Sequence, residues 1–171
     1  MRANVPYAAG AGKYDADDLP DVSGALGRRI LVVEDSPSAR KLLQELLLRL
    51  GVSLPDLRLA ATAPEALQIF SSWQPEIAIV DLQLRTPPDS RAGSDGVANA
   101  DAPKNGAELA QELLKRNPGL RVIICSASEP EGTVLDAQLK KGRVLSMVKP
   151  VFAAKVAEVL AQAAEPIPRG R

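Results

Sequence analysis

From Arg28 onward, short runs of apolar and β-branched residues alternate with longer stretches in which apolar residues recur every three or four positions. That alternation predicts βαβ units and a parallel sheet. Five strands are expected: Arg29 to Glu34 (RILVVE), Asp56 to Ala60 (DLRLA), Ile77 to Asp81 (IAIVD), Arg121 to Cys125 (RVIIC) and Val144 to Val148 (VLSMV). The first, third and fourth are nearly unbroken apolar runs, as central strands covered by helices on both faces require. Ser36 is placed to cap a helix begun by Pro37, with Leu42, Leu43, Leu46, Leu47 and Leu50 at helical spacing until Gly51 stops it. Pro64 opens a second helix, running to about Phe70, and Asn105 caps a third whose face is Ala107, Leu109, Ala110, Leu113 and Leu114. A fainter pattern runs from about Glu131 to Lys140, and a fifth helix from about Ala153 carries Val156, Val159 and Leu160.

One stretch breaks the pattern. Leu84 to Lys104 is rich in Pro, Gly, Asp, Ser and Asn and has no periodicity, so it reads as a long insertion between the third strand and the third helix. With no apolar face to anchor it, the insertion is expected to be mobile. Residues 1–27 read as a flexible N-terminal extension, 28–163 as one folded domain, and 164–171 as a tail too short to hold a further output domain.

Composition then removes several function classes. Among 171 residues, 46% are hydrophobic and 25% charged, and no apolar run approaches the roughly 18 residues of a membrane span. Lys plus Arg (21) equals Asp plus Glu (21), so no net basic field draws the chain to nucleic acid. The chain has no histidine, which excludes a Ser-His-Asp triad, a histidine zinc site and a phosphohistidine of its own. Cys125 is the single cysteine and lies in an apolar run, where it is expected as a small buried hydrophobe. The first 27 residues lack the apolar core of an export signal, and a cytoplasmic location is expected.

Ligands of a doubly wound sheet bind outside the carboxyl ends of its strands, and those ends carry the chemistry here. The first expected strand ends in Glu34-Asp35, the third in Asp81, the fourth in Ser126 and the fifth in Lys149-Pro150. Right-handed crossovers bring all four ends to one rim. Three crowded carboxylates repel one another, and a divalent cation such as Mg²⁺ relieves that while leaving coordination sites for phosphate oxygens. Acids beside a lone ammonium therefore suggest phosphoryl transfer, with Asp81 as nucleophile and Ser126 and Lys149 around the transferring oxygens.

From Arg28 to Ala163 this set resembles the response-regulator receiver family. The resemblance implies a flavodoxin-like α/β fold, a five-stranded parallel sheet in order 2-1-3-4-5 with helices on both faces. It also implies two-component phosphorelay signalling. Asp81 in IAIVDLQL matches the phospho-accepting aspartate, and Asp35, second of the acid pair, the direct Mg²⁺ ligand, with Glu34 behind it. Ser126 in IICSAS matches the hydroxyl that binds the phosphoryl group, and Lys149 in MVKP the lysine before a commonly cis proline. Gln83 falls where the family offers a backbone carbonyl to the metal. The partners implied are a histidine kinase or histidine phosphotransfer protein as donor and an unidentified downstream protein. The chain would not be an enzyme beyond promoting its own aspartyl phosphorylation and dephosphorylation.

Two features depart from that family. Its loops reach the glycine that matches Gly106 soon after the aspartate, whereas Gly106 lies 25 positions beyond Asp81 here. Ser146 stands where the family usually places a switch aromatic, and serine cannot fill that space. The alternative reading is therefore a degenerate receiver, a constitutive protein-docking module without phosphorylation. A phosphatase or mutase of the haloacid dehalogenase type fits less well, since its nucleophile follows the first strand in a DxD pattern and this chain reads Glu34-Asp35-Ser36.

Overall fold

The computed structural model describes residues 19–85, 103–128 and 134–167. Five strands form one parallel sheet: β1 (Ile30–Val33), β2 (Leu57–Ala60), β3 (Ile77–Asp81), β4 (Arg121–Ser126) and β5 (Val144–Val148), in the order β2-β1-β3-β4-β5. The helices are α1 (Pro37–Arg49), α2 (Ala63–Trp73), α3 (Gly106–Arg116), α4 (Asp136–Lys140) and α5 (Ala153–Ala164). Every residue of β1, β3 and β4 is buried, as their apolar runs require of central strands.

The period of two along each strand divides the core into two layers. Ile30, Val32, Ile77, Ile79, Ile123, Cys125 and Met147 pack with α1 and α5 on one face. Leu31, Val33, Ala78, Val80, Val122 and Ile124 pack with α2 and α3 on the other. The helix starts are written locally. Ser36 accepts from the Ala39 N–H at 3.4 Å, Thr62 from Glu65 at 3.3 Å and Asn105 from Glu108 at 2.9 Å. Glu65 and Glu108 reach back to the Ala61 and Lys104 N–H groups, so donors on both sides of each cap are satisfied.

Several expected boundaries move. β1 is one residue shorter at each end than expected, and Asp56 belongs to a 3-10 turn, Leu54–Asp56, ahead of β2. The second helix starts at Ala63 rather than Pro64, because Thr62 is its cap, and runs past Phe70 to Trp73, ending on Gln74 at φ 50°. β4 gains Ser126, which pairs with Val148. The fourth helix has only five residues, and the expected start at Glu131 lies outside the described residues.

The domain also begins earlier than residue 28. Ser23–Ala25 forms a 3-10 turn, and Val22 and Ala25 are buried in the layer of α1 and α5. Arg28 fastens this segment by donating to the carbonyls of Gly24 and Ala164. Arg121, at the start of β4, donates to the carbonyls of Gln162 and Glu165, each at 2.9 Å, and to that of Gly142. Two guanidinium groups thus satisfy the carbonyls at the C-terminal end of α5, where cations are favoured. Residues 164 and 165, expected in the tail, belong to this arrangement. Leu84, expected as the first residue of the insertion, is buried in the core, while most of that insertion, residues 86–102, lies outside the described residues.

Candidate functional site

The side-chain alternation that builds the core also aims the rim. On β1 the series Ile30, Val32 faces α1 and α5, and Glu34 continues it one residue past the strand. Asp81 continues Ile77 and Ile79 in the same phase, and Lys149 continues Leu145 and Met147. Three polar side chains therefore extend the same layer beyond the carboxyl ends of β1, β3 and β5 and meet. The Lys149 ammonium lies 3.0 Å from Glu34 Oε2 and 3.1 Å from Asp81 Oδ2. Glu34 is 1% and Asp81 5% exposed, so the two carboxylates share one cation almost out of water.

The backbone around Asp81 is fixed from several sides. Its carbonyl accepts from the Leu84 N–H at 3.2 Å, and its Oδ1 accepts from the Gln83 N–H at 3.1 Å, closing a tight turn directly after β3. Gly106 opens α3 against this turn, where an added Cβ would lie 1.8 Å from the Asp81 carbonyl oxygen. Only a glycine admits that approach. Ser126 ends β4 one residue beyond Cys125, the register partner of Asp81. Its hydroxyl donates to the carbonyl of Ser128, and its own carbonyl accepts from the Lys149 N–H at 2.8 Å. The peptide bond from Lys149 to Pro150 is cis.

Glu34, Asp35 and Asp81 each offer a carboxylate oxygen, all within 4.8 Å of one another. Glu34 is already engaged at both oxygens, by Lys149 and by the Ser36 N–H at 3.1 Å, whereas Asp35 is half-exposed at the rim. Three carboxylates against one bonded ammonium leave excess negative charge around hard oxygen donors, which suits Mg²⁺. Burial pushes the Glu34 carboxyl above its ordinary range, against the pull of Lys149 and the Ser36 N–H, and the Asp81 charge adds to the rise. Burial alone would lower Lys149, but hydrogen bonds and charge from Glu34 and Asp81 outweigh it and hold the ammonium firmly protonated. Cys125, beneath the site, has its thiol pushed up to about 12 by burial.

Every site residue expected from the sequence lies at this rim, with Glu34, Asp35, Asp81 and Lys149 drawn into one cluster, Ser126 ending the neighbouring strand, and Gln83 engaged through its N–H. Ser146 sits on β5 opposite Ile124, half-buried. Two contributors escaped the sequence reading. Gly106 matters through its contact with the Asp81 carbonyl, which no local pattern reveals, and Arg40, on the first turn of α1, donates to the carbonyls of Glu34 at 2.6 Å and Asp35 at 3.4 Å.

No protein-family model matches the chain. Curated proteins do. The chain is 25% identical over 135 residues to chemotaxis protein CheY of Thermotoga maritima, across 79% of this chain and 96% of that protein. It is 28% identical over 140 residues to chemotaxis protein CheY of Listeria monocytogenes, across 80% of this chain and 98% of that one. Among solved structures, the receiver domain of NtrX from Brucella abortus matches with a TM-score of 0.60 and 24% identity, covering 79% of this chain and 97% of that one. The response regulator TrrA of Thermotoga maritima, solved in complex with Mg²⁺ and BeF, matches with a TM-score of 0.58 and 24% identity, over 80% and 98%.

Proposed function

We propose that this chain, a CheY-like response-regulator receiver domain in fold and sequence likeness, accepts a phosphoryl group on Asp81 from a phosphohistidine of a partner kinase or phosphotransfer protein. It passes the signal on by protein–protein contact. The observation that carries the reading is the Lys149 ammonium at 3.0 and 3.1 Å from Glu34 and Asp81, beside an acid cluster that can hold a divalent cation. A buried aspartate with a cation on each side is suited to attack on phosphorus, because the barrier falls mainly through charge neutralisation and positioning.

In the proposed step an Asp81 oxygen forms a bond to phosphorus as the bond from phosphorus to the donor's imidazole nitrogen breaks. The Gln83 N–H and the turn closed by Leu84 hold the nucleophile's direction. Lys149 is free to follow the new negative charge, since it bonds Asp81 on the side of Oδ2. Ser126 would exchange its bond to the Ser128 carbonyl for one to a phosphoryl oxygen. Asp35 and Asp81, with Glu34 behind them and the Gln83 carbonyl as a further ligand, would hold Mg²⁺, which would supply charge neutralisation for the phosphoryl oxygens. That Mg²⁺ and BeF occupy TrrA supports this assignment. The chain would act as a signalling receiver and not as an enzyme on a separate substrate. A reducing cytoplasmic setting belongs to the proposal, in keeping with a lone buried thiol, Cys125.

Incubation with MgCl₂ and acetyl phosphate, followed by intact mass, tests the reading. One added phosphoryl group on the parent and none on Asp81→Asn is expected, and labelling of Asp81→Asn at full yield overturns the assignment. The half-buried Ser146 in place of a switch aromatic favours a second reading, a docking module that works without phosphorylation. A parent that stays unlabelled but still captures its partner would establish that one.

A further inference from the structure

Where β1 ends at Val33, the sheet stops controlling the chain just before the two acids on which the site depends. The Glu34 N–H still bonds the Ala60 carbonyl at 3.1 Å. Its carbonyl and that of Asp35 are met instead from α1, where one guanidinium nitrogen of Arg40 lies 2.6 Å from the first and 3.4 Å from the second. Arg40 is in turn set by its own helix, its N–H bonding the Ser36 carbonyl at 2.9 Å. The carboxylate of Glu34 is held independently, by Lys149 and the Ser36 N–H. The half-exposed carboxylate of Asp35 depends for its direction on the backbone that Arg40 grips.

We infer that Arg40 is a positioning residue: by bridging the Glu34 and Asp35 carbonyls it fixes the turn that aims Asp35 at the cation position beside Asp81. The inference rests on the proposal that this rim binds Mg²⁺. Arginine suits the task, because its permanently charged guanidinium carries two N–H donors on that one nitrogen, enough to serve both carbonyls. Partners that orient a metal ligand without touching the metal commonly account for about 10- to 100-fold in affinity.

The competing role, in which Arg40 serves only as a positive charge near an acid cluster, predicts the opposite sign. Removing a cation would then strengthen Mg²⁺ binding by relieving repulsion. The experiment is an NMR titration of the intact chain with MgCl₂ at constant ionic strength, following the amides of Asp35, Gln83 and Ser126 in the parent, Arg40→Met and Arg40→Lys, alongside thermal midpoints. Positioning predicts Mg²⁺ affinity weakened about 10-fold or more in Arg40→Met and by a smaller factor in Arg40→Lys, which keeps the charge but loses the fixed guanidinium geometry that sets the bridge. It also predicts amide spectra that change only around β1 and α1. Equal or tighter binding in Arg40→Met overturns the inference, as does a lowered midpoint with unchanged affinity. Should Arg40→Met fail to fold, the Lys variant decides alone, full parent affinity there overturning the bridge. A parent that binds no Mg²⁺ overturns the reading of the site itself, and this inference with it.

Discussion

Lys149→Met removes the ammonium that bonds Glu34 and Asp81 and leaves a chain of similar length in its place. Glu34, almost wholly buried, then faces the Asp81 charge with the Ser36 N–H as its remaining bond. Stripping one partner from a buried ion pair costs about 3–5 kcal/mol. The Lys149 side chain is 31% exposed, so water screens part of the interaction, and about 2–3 kcal/mol near pH 8 is the expected loss. Protonating Glu34 recovers much of it, which gives the variant a distinctive pH dependence. Burial already holds the Glu34 carboxyl above its ordinary value of 4.5, and without Lys149 it rises further. Between 4.5 and that higher value the native state binds more protons than the unfolded chain. Stability of the variant therefore falls as pH rises, by about 1.4 kcal/mol for each pH unit the window spans. For a domain of this size 1 kcal/mol shifts the melting midpoint by about 2–4 °C, so the gap to the parent should reach about 5–10 °C near pH 8. It should shrink clearly near pH 5. Circular-dichroism melts without Mg²⁺ at the two pH values read both gaps. A gap that is equal at both, or larger in acid, would refute the shared-cation account.

Gly106→Ala forces a Cβ toward the Asp81 carbonyl oxygen, a backbone atom that cannot turn aside, so a loss of about 2–4 kcal/mol in urea unfolding is expected. A midpoint like the parent's would show that α3 shifts without strain. Arg121→Met deletes donors to two carbonyls at the end of α5 and to that of Gly142 and should destabilise by about 2–4 kcal/mol, with hydrogen exchange faster at the last turn of α5 than at its first. Uniform exchange along α5 would contradict that role. Cys125 is fully buried with its thiol pushed up to about 12, so iodoacetamide near pH 8 should modify it only after unfolding by guanidinium. Rapid labelling of the native chain would show that β4 opens locally.

Much of the site was readable in the sequence because two short-range rules govern it. Apolar runs fix the strands, and the period of two then fixes which terminal side chains share a layer, so that Glu34, Asp81 and Lys149 arrive in phase with Val32, Ile79 and Met147. Helix starts were readable for a similar reason, since Ser36 and Asn105 bond amides three residues away. The second helix obeys the same rule through Thr62, its cap, with Pro64 one residue inside the helix start. What stayed hidden depends on contacts between segments far apart in the chain. Nothing near Val22 and Ala25 announces that α5 will cover them, and a stretch of Ala, Gly and Asp reads as a tail until that helix is in place. Arg121 looks like the charged edge of a strand, yet its guanidinium reaches carbonyls 41 and 44 residues away. Gly106 is an unremarkable helix start until the backbone of Asp81 is laid against it. The difference matters for the chemistry. The acids and the lysine could be named from local pattern, but the backbone that aims them is held by Gly106 and Arg40. A sequence could therefore keep all four charged rim residues and still lose the geometry through either of those two positions.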